Sequence, residues 1–406
     1  MVESKLTLEK IEEARHRLAG VAHRTPLDFS ATFSEITGSN VFLKLENMQK
    51  TGSFKIRGAY NKVMSLDEKD RGRGVIAASA GNHAQGVAYA AARAGLPCTI
   101  VMPAGAPISK IAATRGYGSE VVLAGGGYDE AYRLAVELRE KSGAAFIHGF
   151  DDVDVIAGQA TIALEILEDL PGVEAVLVPV GGGGLIAGIS FALKTLRPEV
   201  RVVGVQAAGA PAMLLSWRKG RLVETAHAST FADGIAVRRP GRVAFGIIRQ
   251  CVDEIVTVDD EETAGAILML LERSKLVVEG AGAVGLAALV YQKTALRNAR
   301  TVVVLSGGNI DVNILSIIIE RGLVKTGRYA RLRAVLSDEP GNLGKLLAAV
   351  ARTRANVISV AHNRIRPGIP LKQAEVELSL ETRNKEHIGQ ILEVLARAGY
   401  RPEIIA

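Results

Sequence analysis

The sequence predicts an α/β protein with two parallel-sheet subdomains and a C-terminal domain of a different kind. The first observation is that short, wholly apolar segments alternate with amphipathic or alanine-rich stretches from residue 74 to about residue 305. This alternation is typical of buried parallel strands joined by helices. The second observation concerns residues 375–381 (E-V-E-L-S-L-E), where polar and apolar residues alternate strictly. Such a strand has one face in water, so the region after Tyr329 is predicted to form a separate sheet.

The elements of the first region are predicted in chain order from their residue patterns. Apolar residues at helical spacing predict a helix over 5–20, and a short apolar run predicts a strand over 41–45. Further apolar runs predict strands at 75–79, 99–102, 120–124, 145–148, 175–180, 202–205 and 302–305. Alanine-rich or amphipathic stretches predict helices at 82–94, 128–141, 155–170 and 185–196. These units are too many for one small sheet, so we expect two subdomains, the smaller over about 74–150.

The C-terminal region is predicted to be a ferredoxin-like βαββαβ domain over 329–406. Two of its stretches carry apolar residues at the spacing i, i+3, i+4, i+7, which predicts amphipathic helices: Leu343, Leu346, Leu347 and Val350 in one, and Ile388, Ile391, Leu392 and Leu395 in the other. The element order is strand, helix, strand, strand, helix, strand. A polar, glycine-bearing linker at 322–329 places the first domain at 1–325.

Composition excludes several classes of protein. A hydrophobic fraction of 48% and a charged fraction of 23% are typical of soluble globular chains. The net charge of +6 is spread along the chain and aromatic residues are only 4%, so no nucleic-acid partner is expected. The uncharged window 175–193 contains Pro179 and four glycines, which favours a strand–loop–helix unit over a membrane span. Cys98 and Cys251 form no metal or disulfide pattern, which fits a reducing, cytoplasmic location.

In segment 46–59 (E-N-M-Q-K-T-G-S-F-K-I-R-G-A), Lys55 lies among small and apolar neighbours. Loss of hydration in such a setting lowers the pKa of an amine. A neutral amine is what a Schiff base with an aldehyde cofactor requires. The alternative is an ordinary surface lysine at a helix start, which is the commoner role of a lone lysine.

Two further segments lie between a predicted strand and a predicted helix. In Ser79–Gly86 (S-A-G-N-H-A-Q-G), backbone N–H groups at the helix start would face an anion such as a substrate carboxylate, although a plain N-cap turn explains the same residues. In Gly181–Leu185 (G-G-G-G-L), four glycines would let backbone N–H groups approach a phosphate closely. No Gly-Lys-Ser/Thr follows, and Gln206 stands where a dinucleotide site has its acidic residue, so we expect a phosphate site of another kind.

Two polar residues follow later in the same region. Ser306, in S-G-G-N, comes directly after the strand at 302–305, where α/β sheets bind ligands; its alternative role is to cap a tight turn. Glu279, in V-V-E-G-A-G-A-V-G, is a second candidate for the same crevice. Its alternative role is that of a carboxylate favoured at a helix N-terminus.

Together these segments resemble the fold-type II pyridoxal-phosphate enzymes, and within them the threonine dehydratases (threonine ammonia-lyases). The resemblance covers residues 5 to about 325, where T-G-S-F-K-I-R-G-A, S-A-G-N-H-A-Q-G, G-G-G-G-L and S-G-G-N occur in the family's order. It implies two parallel-sheet subdomains of the tryptophan synthase β-like architecture. The tail over 329–406 resembles an ACT domain, a regulatory amino-acid-binding module whose effector site begins at the turn 338–343.

The resemblance also implies a role for each residue. Lys55 would carry pyridoxal 5'-phosphate covalently and, once freed by the substrate, would be the base for the Cα proton. The cofactor would be bound by Phe54, Lys55, Asn82, Gly181, Gly182, Gly183, Gly184, Leu185, Glu279 and Ser306, with the phosphate on the glycine loop, Asn82 on the ring hydroxyl and Ser306 on the pyridine nitrogen. The amino-acid carboxylate would be received by Ser79, Ala80, Gly81, Asn82 and His83.

The activity implied is β-elimination of L-threonine, and of L-serine, to an oxo acid and ammonia, in a homodimer or homotetramer controlled by an amino-acid effector. Serine racemases of this fold have a second serine where this chain has Ala80, and acidic metal ligands where it has Gln206, Ala210 and Ala212. Racemisation and a metal ion are therefore not expected. Two alternatives stay open, namely a serine dehydratase or racemase, and a non-catalytic amino-acid sensor.

Overall fold

A computed structural model describes residues 5–365 and 367–405 of the chain. The chain forms two compact units that divide between Ile310 and Asp311. This division lies before the helix Val312–Lys325, whereas the predicted linker at 322–329 overlaps the end of that helix. No helix in the described ranges is both long enough and apolar enough to cross a membrane.

The first unit contains the predicted alternation of strands and helices. Its strands are β1 Leu27–Phe29, β2 Asn40–Lys44, β3 Val75–Ala78, β4 Cys98–Pro103, β5 Glu120–Ala124, β6 Ala145–Phe146, β7 Ala175–Pro179, β8 Arg201–Ala207, β9 Glu254–Val258 and β10 Arg300–Val304. Its helices are α1 Leu8–Leu18, α2 Ala31–Thr37, α3 Lys55–Ser65, α4 Glu68–Arg71, α5 Asn82–Ala94, α6 Ile108–Gly116, α7 Tyr128–Ser142, α8 Val153–Asp169, α9 Gly184–Leu196, α10 Ala212–Lys219, α11 Arg242–Cys251, α12 Asp260–Met269 and α13 Gly280–Val290. Short 3-10 turns lie at Glu46–Met48 and Asp233–Ile235, and a π-helical turn lies at Leu270–Ser274.

The strands of the first unit form two sheets, which confirms the prediction of two parallel-sheet subdomains. The larger sheet has the order β1-β2-β10-β7-β8-β9, and only its edge strand β1 is antiparallel. The smaller sheet has the order β5-β4-β3-β6, is parallel throughout and lies within 75–146. The central strands β3, β7 and β10 are almost wholly buried, as expected for strands covered on both faces.

Glycines allow three helices of the first unit to pack backbone to backbone. A Cβ atom added to Gly158 of α8 would lie 2.5 Å from the Arg57 carbonyl of α3. A Cβ atom added to Gly188 of α9 would lie 2.5 Å from the Ile156 carbonyl of α8. Helix α8 therefore holds the helix that begins with Lys55 and the helix that follows the glycine loop on its two sides.

The second unit begins with α14 (Val312–Lys325), and after this helix it contains the predicted order of elements. They are β11 Tyr329–Ser337, α15 Asn342–Arg352, β12 Asn356–Asn363, β13 Gln373–Glu381, α16 Lys385–Arg397 and β14 Glu403–Ile404. The strands form an antiparallel sheet in the order β12-β13-β11-β14. Its core is apolar and includes Leu332, Leu378, Leu346 and Ile391. Both helices share this core with the strands, and the strand order is compatible with a ferredoxin-like domain.

Candidate active site

The segments singled out by the sequence all begin or end regular elements of the first unit. Lys55 is the first residue of α3, Asn82 the first of α5 and Gly184 the first of α9. Glu279 is the N-cap of α13, and Ser306 follows β10. The carboxyl ends of parallel strands meet at one edge of a sheet, where α/β proteins bind ligands. The contacts described next join these segments into one site.

The Lys55 side chain is half-buried and its amine is fixed by one hydrogen bond. Its Nζ donates to the Gly149 carbonyl at 2.8 Å and lies 5.2 Å from the centroid of the Phe54 ring. Desolvation lowers the pKa of Lys55 to about 8, although the charge of Glu279 opposes this shift. At pH 7 about one amine in ten is therefore neutral, far more than at the ordinary pKa of a lysine, and a neutral amine can attack an aldehyde.

The segment before Lys55 is held against the S-G-G-N loop. The Phe54 N–H donates to the Ser306 carbonyl at 3.1 Å, and the Gly308 N–H donates to the Gly52 carbonyl at 2.8 Å. Gly52 has φ +73° and lies so close to Asn309 that an added Cβ would be 2.4 Å from its Oδ1. Both the positive φ and the lack of space for a Cβ atom require a glycine at position 52. The buried Ser306 is thereby placed beside the start of α3.

Asn82 and Glu279 form a polar pair that crosses between the two subdomains. The Asn82 amide nitrogen donates to both Glu279 carboxylate oxygens at 2.8 and 3.0 Å. The Asn82 oxygen accepts a hydrogen bond of 2.6 Å from the amide of Asn309. Burial raises the pKa of Glu279, and the Asn82 hydrogen bond and the nearby Lys110 oppose that rise. The sequence arguments did not select Asn309, although it lies inside the S-G-G-N motif.

His83 is buried and neutral. Its Nε2 lies 2.8 Å from the Ile147 carbonyl, so that nitrogen carries the proton and donates. Burial, and next the charge of Lys55, lower the pKa of His83 to about 3. Its Nδ1 is buried and has no partner among the residues described here. In the same loop the Ser79 hydroxyl accepts from the Gly81 N–H at 3.2 Å, and Ala80 offers only its backbone.

Neighbouring atoms leave no space for side chains on the glycine loop. Added Cβ atoms would lie 2.9 Å from the Ile235 Cα at Gly181, 2.4 Å from the Phe150 ring at Gly182 and 2.6 Å from the Phe150 carbonyl at Gly184. Gly183 has φ +103°, a conformation that L side chains rarely adopt. Leu185, on the first turn of α9, is buried. The first N–H groups of α9 have no partners within the helix, and such groups bind anions.

The residues present fit an aldehyde cofactor that carries a phosphate. The glycine loop leaves no room for side chains and lies at the N-terminus of α9, and helix N-termini bind phosphates. The Lys55 amine has a lowered pKa, as an aldehyde partner requires. The Ser53 hydroxyl, two residues before Lys55, and the His83 Nδ1 are buried atoms without a partner in the described part of the chain.

The region after β8 is built differently from a metal site. The buried Gln206 donates to the Ala210 carbonyl at 3.1 Å and accepts from the Leu214 N–H at 2.7 Å. Its side chain therefore connects β8 to the start of α10. Within 5–365 and 367–405, no group of three or more histidine, cysteine, aspartate or glutamate side chains is placed to hold a metal ion.

Comparison with known proteins identifies the family. The family model described as "Pyridoxal-phosphate dependent enzyme" matches residues 18–307. The chain is 53% identical over 400 residues to L-threonine ammonia-lyase of Thermotoga maritima, covering 98% of this chain and 100% of that protein. Among solved structures it resembles the processed form of threonine deaminase isoform 2 from Solanum lycopersicum, with 38% identity and a TM-score of 0.73 over 79% of this chain and 96% of that one. It also resembles maize serine racemase, with 33% identity and a TM-score of 0.75 over 79% of this chain and 99% of that one.

The match spans both sheets of the first unit and the residues of the site from Gly52 to Ser306, and it ends just before Gly308 and Asn309. The predicted cofactor, pyridoxal 5'-phosphate, is the one that this family uses. The chain belongs to the family of pyridoxal-phosphate dependent enzymes.

Proposed function

We propose that this protein is a threonine ammonia-lyase, a lyase that converts L-threonine to 2-oxobutanoate and ammonia, and L-serine to pyruvate and ammonia. The observation that carries the proposal is the Lys55 amine, held at 2.8 Å from the Gly149 carbonyl with a pKa lowered to about 8, next to a glycine loop that fits a phosphate. The name of the Thermotoga maritima relative, which matches the whole chain, supports the same reaction.

Each part of the site has a distinct task in this proposal. The N–H groups of Gly181–Leu185 hold the cofactor phosphate, Phe54 and Glu279 line the cofactor site, the Asn82 amide binds the ring hydroxyl, and Ser306 faces the pyridine nitrogen. The loop from Ser79 to His83, including Ala80 and Gly81, binds the substrate carboxylate through its N–H groups. When bound, the cofactor supplies an electron sink for the bonding electrons of the substrate's Cα.

Lys55 moves the proton. Its amine, in the neutral form that desolvation favours, accepts the proton of the substrate's Cα. The hydrogen bond from Asn82 to Glu279 supports an orientation of the Asn82 amide into the same crevice as Lys55. A serine near the pyridine nitrogen does not stabilise a positive ring as a carboxylate would. Elimination of the β-hydroxyl is therefore favoured over reactions that need long-lived charge at Cα, such as transamination.

Racemisation is the second candidate, because serine racemases are among the similar structures. A racemase needs a second proton-transfer group on the face opposite to the lysine. The position next to Ser79 is Ala80, whose methyl group cannot transfer a proton. We therefore propose elimination as the reaction, with racemisation disfavoured.

The test is oxo-acid release by the purified protein, supplied with pyridoxal phosphate, from L-threonine and from L-serine. We expect 2-oxobutanoate from L-threonine, and loss of turnover in Lys55→Ala. The matched control is Lys141→Ala, an exposed lysine on α7, which should leave turnover unchanged. Full activity of Lys55→Ala, or formation of the D-isomer without oxo acid, would contradict the proposal.

The C-terminal unit is proposed to be an ACT domain that binds an amino-acid effector, such as isoleucine or valine. The support is its βαββαβ order with an antiparallel sheet, a form that suits a small ligand-binding module. The strand β12 lies at the sheet edge with Ile358 and Val360 exposed, which suits pairing of two copies into a homodimer or homotetramer. The two cysteines are unpaired, which fits a cytoplasmic location.

Two truncations test the regulatory role. Both are needed because α14 belongs to the C-terminal unit, whereas the boundary predicted from the sequence lies after it. A chain that ends at Lys325 keeps α14, and a chain that ends at Ile310 lacks it. We expect both to lose the response to isoleucine and valine, measured as oxo-acid release. Light scattering reports whether the oligomer survives. A truncated chain with the same oligomer and the same effector response as the full chain would refute this part.

A further inference from the structure

One short segment, Gly149–Phe150, contacts both ends of the site, and neither residue was selected by sequence patterns. It follows β6 of the smaller sheet and precedes α8. The inference drawn from it rests on the proposed function, in which Lys55 bonds the aldehyde end of the cofactor and the glycine loop binds its phosphate.

At one end the segment fixes the lysine. The Gly149 carbonyl accepts the hydrogen bond of 2.8 Å from the Lys55 Nζ. The backbone of Gly149 also lies close to His83, whose ring carbons would be 3.5 Å from an added Cβ. The amine position is therefore set by backbone atoms of residue 149.

At the other end the segment packs against the glycine loop. The Phe150 ring occupies the space next to Gly182, where an added Cβ would be 2.4 Å away, and the Phe150 backbone occupies the space next to Gly184. The ring is itself held by edge-to-face contact with His148, at 4.7 Å between centroids. The loop cannot move toward residue 150, because the ring and backbone already fill that side.

The residues that follow anchor the segment to two helices. The Asp151 carboxylate accepts from the N–H groups of Arg242, Val243 and Ala244 at the start of α11, at 2.8 to 3.2 Å. The Asp152 carboxylate caps the start of α8. The segment is thus fixed to the rest of the larger subdomain immediately after Phe150.

We propose that Phe150 is a positioning residue that sets the separation between the Lys55 amine and the phosphate-binding glycine loop. A ligand held at two points gains the benefit of both only when their separation matches its length. Each point binds through groups that a shorter side chain at residue 150 leaves in place, namely the Lys55 amine and the backbone N–H groups of the loop. Loss of this spacer, the Phe150 ring, therefore weakens binding of pyridoxal phosphate, which uses both points, and spares ligands that use one.

The experiment compares three ligands of the cofactor-free enzyme. Pyridoxal phosphate uses both points, pyridoxal uses only Lys55, and inorganic phosphate uses only the glycine loop. Binding of the two aldehydes is followed by the visible absorbance of the adduct with Lys55, and binding of phosphate by its competition with pyridoxal phosphate. The variant is Phe150→Leu, and the matched control is Phe146→Leu, an aromatic residue of β6 that packs on Tyr132.

For Phe150→Leu we expect the affinity for pyridoxal phosphate to fall about tenfold, while those for pyridoxal and phosphate change by less than about twofold. For Phe146→Leu we expect the affinities for pyridoxal phosphate, pyridoxal and phosphate each to change by less than about twofold. Equal weakening of all three ligands by Phe150→Leu, or no weakening of any, would overturn the proposal. If Phe150→Leu shows no cooperative unfolding transition, Phe150→Met, which keeps most of the volume, decides by the same comparison.

Failure of the proposed function is seen separately, in Lys55→Ala and in phosphate competition with the unaltered enzyme. If Lys55→Ala keeps the visible absorbance, or if phosphate does not compete with pyridoxal phosphate, the two anchor points themselves are wrong. If both of these results are as expected and Phe150→Leu still binds pyridoxal phosphate normally, the anchors are right and the spacer is wrong.

Discussion

Arg57, two residues after Lys55, forms a bidentate ion pair with Glu46 in the protein interior. The Arg57 Nε and Nη2 donate to the two Glu46 carboxylate oxygens at 2.9 and 2.8 Å, and the side chains are 2% and 0% exposed. Burial alone would raise the pKa of Glu46, but the Arg57 guanidinium outweighs it and the pKa falls below its usual range. Arg57 also binds Glu165 of α8, which in turn pairs with Lys44. Two cations thus balance two carboxylates, and they fix α3 to α8.

Replacing Arg57 with methionine should destabilise the protein strongly, since it leaves Glu46 and Glu165 with less positive charge in the interior. We expect the free energy of unfolding to fall by about 3–5 kcal/mol, measured by urea denaturation. The control is Arg15→Met, because Arg15 pairs with Glu168 at the surface and should cost at most about 1 kcal/mol. Equal effects of the two substitutions would show that the buried pair contributes no more than a surface pair.

Lys55 should make the stability of the cofactor-free enzyme depend on pH. Its pKa is about 8 in the fold against an ordinary value of 10.5, so between these values the unfolded chain binds more protons and stability rises with pH. Below pH 8 both states are protonated and the full cost of the buried charge is present. We therefore expect the stability gained in Lys55→Met to be larger at pH 7 than near pH 10.5 by about 3 kcal/mol.

Urea denaturation at pH 7, 8, 9 and 10 measures this difference, with Lys141→Met as the control. Lys141 is exposed, so its ammonium is in water in both states and its replacement should give a constant difference. A constant difference for Lys55→Met would mean that the Lys55 ammonium is not desolvated.

Gly183→Ala should impair both folding and cofactor binding. The positive φ of +103° costs an alanine about 1–2 kcal/mol, and the new methyl would lie 2.6 Å from the Met213 Cε. Relief of that contact shifts the start of α9, and we expect weaker binding of pyridoxal phosphate. The control is Gly246→Ala on α11, where an added Cβ meets nothing within 4 Å and should stabilise the helix by about 0.5–1 kcal/mol. Unchanged cofactor affinity in Gly183→Ala would show that the loop conformation is not required for binding.

The elements with a strong local pattern were predictable from the sequence. The helix Asn82–Ala94 and the strand Glu120–Ala124 have the predicted bounds, because each has a uniform apolar pattern between glycine or polar residues. The strand β9 and the helices α10 to α13 were not predicted. The signal for α12 was present, since Asp259 and Glu262 form a capping box before it.

The candidate site was predictable where a motif carries the chemistry and not where tertiary contacts do. Lys55 and the glycine loop stand out because a lysine among small residues and four consecutive glycines are rare patterns. Gly149 and Phe150 lie in an ordinary loop, and only the fold brings them against Lys55 and Gly182. The domain boundary illustrates the same limit, because the pattern of α14 does not say which of its two neighbouring units it joins.

His83 should lower the stability of the protein in mild acid. Its pKa is about 3 in the fold against an ordinary value of 6.5, so between these values only the unfolded chain takes up the proton and stability falls as pH falls. We expect a contribution of about 1.4 kcal/mol per pH unit, which His83→Gln should remove because glutamine can still donate to the Ile147 carbonyl but does not titrate. Urea denaturation from pH 7 to pH 4.5 measures the two slopes. His16→Gln is the control, since His16 is exposed on α1 and its loss should leave the slope nearly unchanged. If the free energy of unfolding had the same pH dependence in the unaltered protein and in His83→Gln, the imidazole would be protonated in the folded state. The site would then be open to water.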